Sequence, residues 1–170
     1  MGASKALIPR SARIAHNIHS EIYFTSKERV SSMRWILVLL ALFGIVVSAL
    51  ALREHYRTDA SPCSINERWD CGIVNHSPYA MFHGVPVAVI GMMGYFLLGI
   101  LAARRAYAWM LPFVTVAFTF AVHLADVESM VLGVWCIYCV ISLGIISLMT
   151  LLVIGTVIAE STSRSRQSYS

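Results

Sequence analysis

The chain has 170 residues, of which 58% are hydrophobic and only 13% charged, and its mean hydropathy is +0.70. Ordinary soluble domains carry roughly 25% charged residues, so the composition excludes one and defines an integral membrane protein. The net charge of +4 reads as attraction to anionic inner-leaflet lipid rather than to nucleic acid.

The first 34 residues are a basic lead carrying Lys5, Arg10, Arg13, Lys27, Arg29 and Arg34, read by default as a disordered cytoplasmic segment. A spanning helix needs about 20 apolar residues. Four windows qualify: Trp35–Leu52, Val85–Ala103, Ala106–Leu124 and Val134–Ala159, none with Asp, Glu, Lys or Arg. In lipid every backbone polar group must be satisfied internally, so these windows are expected to be helices. The expected fold class is all-α: a four-helix membrane bundle with a long loop between the first two spans. The first window, with its basic lead and Ala49-Leu50-Ala51, also has the pattern of a signal peptide with a small-residue cleavage site. Its apolar run and its lead are both long for one.

The basic residues set the expected orientation. The lead, the Arg104-Arg105 turn between spans two and three, and Arg164 and Arg166 in the tail fall on one side of a four-span topology. Both termini are then cytoplasmic. The Arg53–Gly84 loop and the short Ala125–Gly133 loop, with Asp126 and Glu128, lie outside.

The loop of 32 residues is too long for a mere connector. It holds Cys63 and Cys71, a pair suited to closing a small mobile disulfide ring. Ser77 followed by Pro78 signals a helix start, with Gly84 the expected stop. That short helix would carry Tyr79, Met81 and Phe82 and lie as a cap over the bundle mouth. Ser77 is therefore a helix cap, a hydroxyl donating to a carbonyl in a redox site, or both. His76, His83 and His123 are candidates for moving protons, against the commoner solvated or structural roles. Asn66 and Asn75 read as turn or hydrogen-bonding residues. The Gly91-Met92-Met93-Gly94 patch lets helices approach closely. Met92, Met93, Phe96, Phe118 and Phe120 are candidate lining for a slot, or more ordinarily packing or lipid-facing surface.

The fourth window has 26 residues, long enough to project its first turn beyond the hydrocarbon. Cys136 and Cys139 sit there, one helical turn apart on one face, with Trp135 and Tyr138 at interfacial depth. Amides at a helix N-terminus, together with a Cys-x-x-Cys spacing, favour the thiolate that attacks disulfides. On this topology both pairs face an oxidising compartment. Zinc would favour tight knuckles on both sides, whereas Cys63 and Cys71 stand eight apart. Static structural disulfides are the other alternative. A small transporter is disfavoured, because apart from His123 at one end no ionisable residue lies within a span.

Taken together, Cys63-x7-Cys71, Ser77 six residues later, Gly84-Val85-Pro86 leading a span with Gly91 and Tyr95, and Cys136-Ile137-Tyr138-Cys139 resemble the vitamin K epoxide reductase family. The likeness is to its bacterial-type members and covers roughly residues 35–158. DsbB-type oxidases also have four spans and two dithiols, but their Cys-x-x-Cys precedes the loop pair. The resemblance implies a quinone-reducing thiol oxidoreductase of a bacterial inner membrane. Cys63 and Cys71 would be the shuttle pair, and Cys136 and Cys139 the active-site pair. Cys63 would meet a reduced thioredoxin-fold partner, Cys71 would attack Cys136, and Cys139 would face a quinone of ubiquinone or menaquinone type, with Ser77 helping to hold it. No metal is implied. Vertebrate members hold vitamin K with an Asn and a Tyr where this chain has Val87 and Leu143, so plain quinone reduction is favoured over epoxide reduction. Many bacterial members carry a fused thioredoxin-like domain. This chain ends at Ser170, so a separate partner chain is expected.

Overall fold

The computed structural model describes the backbone of residues 10–59 and 61–168, and the side chains of residues 32–59 and 61–162. The chain divides into two compact units, Met1–Met33 and Arg34–Ser170. In the first, the described residues are helical from Arg10 onward, where α1 (Arg10–His55) begins, instead of the disordered lead expected.

The second unit contains the rest of α1, then α2 (Cys71–His76), a 3₁₀ turn (Pro78–Ala80), a two-stranded hairpin of β1 (Met81–Phe82) and β2 (Val85–Pro86), α3 (Val87–Ala103), α4 (Tyr107–Val127), a π-helical turn (Glu128–Leu132) and α5 (Ile137–Ser168). Ser32–His55, Tyr107–Leu132 and Ile137–Thr162 are long and apolar enough to cross a membrane. Val87–Ala103 is apolar but shorter. The protein is thus an all-α membrane bundle with very little sheet.

Each helix buries one stripe and exposes another. Leu37, Ala41 and Val47 of α1, Tyr95, Leu98 and Ala102 of α3, Met110 and Val114 of α4, and Ile146, Met149 and Val153 of α5 are buried. Leu39, Met93, Phe96, Trp109, Val116 and Leu151 point outward and are largely exposed. Large apolar side chains on the outside are the surface a bilayer solvates. Small residues let the helices close up. A Cβ at Gly44 would fall 2.5 Å from the Tyr95 ring, and one at Gly91 would fall 3.3 Å from Ser48 Oγ.

The connections follow local chemistry. After α3 the Ala106 N–H donates to Leu101 O and the Arg105 N–H to Ala102 O, each at 3.0 Å, with Arg105 at φ 57°. That is the paired bonding that satisfies helix-end carbonyls. Residues His83 and Gly84, at φ 48° and 84°, form the two-residue hairpin turn that pairs Met81 with Pro86 and Phe82 with Val85. Positive φ at both central positions matches the right-handed twist of the flanking strands. The hairpin takes residues that the sequence reading assigned to the cap helix, which shrinks to Pro78–Ala80. The expected Ala125–Gly133 loop is also corrected: helical structure continues through Leu132 and stops at Gly133, φ 67°.

Candidate active site

All four cysteines gather at one end of the second unit. Cys63, Cys71, Val74, Val134 and Cys136 form a buried cluster, and Leu132, Ile137, Tyr138 and Cys139 pack against it. Cys63 and Cys71 are disulfide-bonded with their Cα atoms 5.5 Å apart, while Cys136 and Cys139 are free thiols.

The loop is folded by its own polar residues. Asn66 Oδ1 accepts from the Arg68 and Trp69 amides at 3.0 and 3.1 Å. This side-chain-to-backbone turn reverses the chain toward the end of the bundle. Trp69 then makes a parallel bridge to Trp135: the Trp135 N–H donates to Arg68 O at 2.8 Å, and the Asp70 N–H donates to Trp135 O at 3.1 Å. The loop is therefore pinned one residue before Cys136. Asp70 caps α2 by accepting from the Ile73 amide at 3.0 Å, which sets Cys71 as the first residue of that helix. The expected mobile ring is instead a buried one: Cys63 is 5% exposed and Cys71 fully buried.

Asn75, one turn along α2, joins the two pairs. Its Nδ2 donates to Cys71 O at 2.8 Å and to Cys136 Sγ at 3.6 Å. Such a donor favours the thiolate form of the sulfur it touches. Cys136 sits just ahead of α5, and its carbonyl accepts from the Val140 amide at 3.0 Å. Its own N–H donates to Glu128 Oε2 at 3.0 Å. Glu128 is 3% exposed, and its Oε1 has no hydrogen-bond partner among the described residues.

Beside this cluster lies a cavity of about 470 Å³. Its wall is mostly apolar, including Gly94, Phe113, Phe120 and Tyr138, with Asn75, Ser77, Glu128 and Cys139 among its few polar groups. Volume and lining suit a flat ring with an apolar tail, since pockets for small ligands span about 300–1,000 Å³ with sparse polar groups. Of the expected lining residues only Phe120 borders it. Met93 and Phe96 point away and are mostly exposed.

Ser77 borders the cavity, but its Oγ donates to Val74 O at 2.8 Å. It occupies the cap position before Pro78 without making a side-chain cap bond. Tyr95 also borders the cavity, held by its hydroxyl against Ser142 at 2.9 Å. The three candidate histidines do not converge. His76 contacts Gly72 O and Arg57 O, His83 occupies the hairpin turn against Phe82, and His123 is exposed. His55, which the sequence reading passed over, borders the cavity and meets Asn75 O. Glu128 was also missed as a site residue, because the third span was ended at Leu124. Its one signal is its place in the sequence, eight residues ahead of Cys136.

A bundle of membrane-capable helices that buries a loop disulfide beside a Cys-x-x-Cys and a cavity defines a membrane thiol oxidoreductase. The family model described as "Vitamin K epoxide reductase family" matches residues 35–154. The chain belongs to that family. No curated protein sequence gave a significant match.

Proposed function

We propose that this protein passes electrons from a reduced thioredoxin-fold partner, through Cys63–Cys71 and then Cys136–Cys139, to a membrane quinone, and so supports disulfide formation outside the cytoplasm. The observation that carries the reading is the placement of Cys71 and Cys136 in one buried cluster, with Asn75 touching both residues.

In this reading Cys63 meets the partner thiolate, since Cys71 is the more deeply buried of the two. The partner dithiol leaves as a disulfide and the loop pair becomes two thiols. The Cys71 thiolate then attacks the Cys136–Cys139 disulfide at Cys136, forming Cys71–Cys136, and the Asn75 amide is placed to stabilise the Cys136 thiolate when Cys63 displaces it and re-forms the loop disulfide. Cys139 is released at the cavity wall. With both Cys136 and Cys139 then thiols, a quinone there would accept two electrons and two protons as the Cys136–Cys139 disulfide re-forms. Phe120 and Tyr138 offer ring faces for it, and the outward-opening lining suits an apolar tail. Ser77 offers acceptor capacity as placed, and becomes a donor to the cavity only by rotating its proton away from Val74 O. The two domains proposed are the basic segment 1–34 and the catalytic bundle 35–159, with residues 160–170 as a tail. Arg34 stands at the start of the Ser32–His55 apolar stretch and Arg104 and Arg105 follow α3, at span ends away from the cysteine loop in sequence order, which supports an extracytoplasmic position for the cysteines.

The test is quinone reduction by purified protein with reduced thioredoxin as donor, wild type against Cys139→Ala. Turnover in the wild type and its loss in the variant are expected. A wild type that leaves the quinone oxidised would overturn the reading.

A further inference from the structure

Glu128 is the buried charge-bearing group at the site that the relay leaves without a task. It stands on the π-helical turn Glu128–Leu132, which carries its carboxylate toward the start of α5. Such single π turns concentrate at functional positions. One carboxylate oxygen is held by the Cys136 amide, so the group is fixed in place. The other is buried without a hydrogen-bond partner among the described residues. The Cys139 side chain lies within electrostatic reach of this carboxylate, and both line the same cavity. A buried carboxyl oxygen left unpaired is costly. A proton carried on that oxygen, or a thiol proton offered to it, removes the cost.

We propose that Glu128 is the acid–base residue of the Cys136–Cys139 pair. It rests on the thiol relay described above. When the Cys71 thiolate attacks Cys136 Sγ, the Cys71–Cys136 disulfide forms and the Cys136–Cys139 bond breaks. Cys71 is oxidised and Cys139 reduced, and no outside oxidant enters. The proton on Glu128 moves to the departing Cys139 sulfur, leaving a thiol and a carboxylate. When the pair is re-oxidised the carboxylate takes the Cys139 proton, and the Cys136–Cys139 disulfide re-forms as the pair's two electrons pass to the quinone of the relay. The amide of Cys136 aims the carboxylate through both steps.

Two readouts separate this role from a structural one. The first needs no quinone: in fully reduced full-length protein, the alkylation rate of Cys139 by iodoacetamide is followed by peptide mass spectrometry. Glu128→Gln removes a negative charge beside the sulfur, so the Cys139 thiolate becomes easier to form and alkylation speeds up several-fold, with Cys63 and Cys71 unchanged. The second is the rate at which reduced thioredoxin, acting through the loop pair, opens the Cys136–Cys139 disulfide in quinone-stripped protein. Here Glu128→Gln slows the step by about 10²-fold, the low end of the range for losing general acid–base catalysis. Glu128→Asp recovers part of it. Opposite movement of the two rates is the signature. If both rise, the carboxylate acts only as a repelling charge. If both fall, or if the loop cysteines also become reactive, it is only structural. Either result overturns the proposal while leaving the relay intact. A wild type in which thioredoxin never opens the Cys136–Cys139 disulfide overturns the relay itself.

Discussion

Asn75 Nδ2 reaches Cys136 Sγ at 3.6 Å across 61 residues of sequence, and the same nitrogen is bonded to the carbonyl of Cys71. One amide therefore touches both the residue proposed to attack and the sulfur it is proposed to attack. Asn75→Ala removes this donor. A hydrogen bond to a charged group contributes about 1.5–3 kcal/mol, and about 1.4 kcal/mol is tenfold in rate. Exchange between the loop pair and Cys136 should slow at least tenfold in quench-flow measurements. Asn75→Asp should slow it further by facing the thiolate with a like charge. Unchanged exchange in Asn75→Ala would remove the residue from the mechanism.

Cys139→Ala should halt the relay one bond earlier. With no resolving sulfur on α5, Cys136 has no internal disulfide to offer. A reduced variant exposed to mild oxidant should accumulate a Cys71–Cys136 linkage, visible as a crosslinked peptide pair. Cys71→Ala should instead hold Cys63 in a mixed disulfide with the thioredoxin-fold donor. Recovery of Cys63–Cys136 as the main product would reassign the two loop cysteines.

Gly44→Ala tests the packing that shapes the cavity. The new Cβ would meet the Tyr95 ring at 2.5 Å, and Tyr95 is held by Ser142 and borders the cavity. Overpacking costs about 1–3 kcal/mol. Thermal unfolding in detergent should shift down by several degrees, and the apparent affinity for quinone should fall as the ring is pushed into the cavity. Tyr95→Phe, which keeps the ring, should lose only about 1 kcal/mol.

Asp70→Ala removes the cap of α2, seen as the 3.0 Å bond from the Ile73 amide. Loss of such a cap costs about 1 kcal/mol, enough to raise the open population roughly fivefold. Reduction of the Cys63–Cys71 disulfide by a water-soluble phosphine should quicken by that factor. An unchanged rate would mean that the phosphine attacks without the loop opening.

The compartment of the relay can be checked in sealed vesicles. After reduction, a membrane-impermeant thiol reagent should label Cys63 from the face opposite the termini. Labelling from the face that carries the termini would invert the proposed orientation.

Much of this arrangement was legible in the chain. The apolar windows marked the helices because lipid demands internal backbone pairing, and the order of the cysteine pairs separated two families of similar build. What was not legible depends on side chains meeting across distant sequence. Glu128 looked like part of an acidic outer turn, since a carboxylate ordinarily ends an apolar span. Its burial comes from the helix continuing through Leu132 and from the Cys136 amide that receives it. Asn75 read as a turn or hydrogen-bonding residue, and only the docking of α2 beside Cys136 gives it a sulfur to touch. The hairpin turning at His83 and Gly84 ends the cap helix at Ala80 while its Ser77-Pro78 start stands. Met93 and Phe96 take the outward-facing of their two readings, a choice left open because an apolar stripe does not say which face meets lipid and which meets a cavity.

The bridge between Trp69 and Trp135 has one more consequence. It seals the entry disulfide, leaving Cys63 only 5% exposed and Cys71 fully buried. Small soluble thiols drifting past meet no open sulfur. On the proposed relay, the electron donor is a protein that docks long enough to loosen two backbone hydrogen bonds, each contributing about 0.5–1.5 kcal/mol. If the cysteines form the proposed relay, the loop is insulation around a wire, and the right to deliver current belongs to whatever surface fits the tip of the loop.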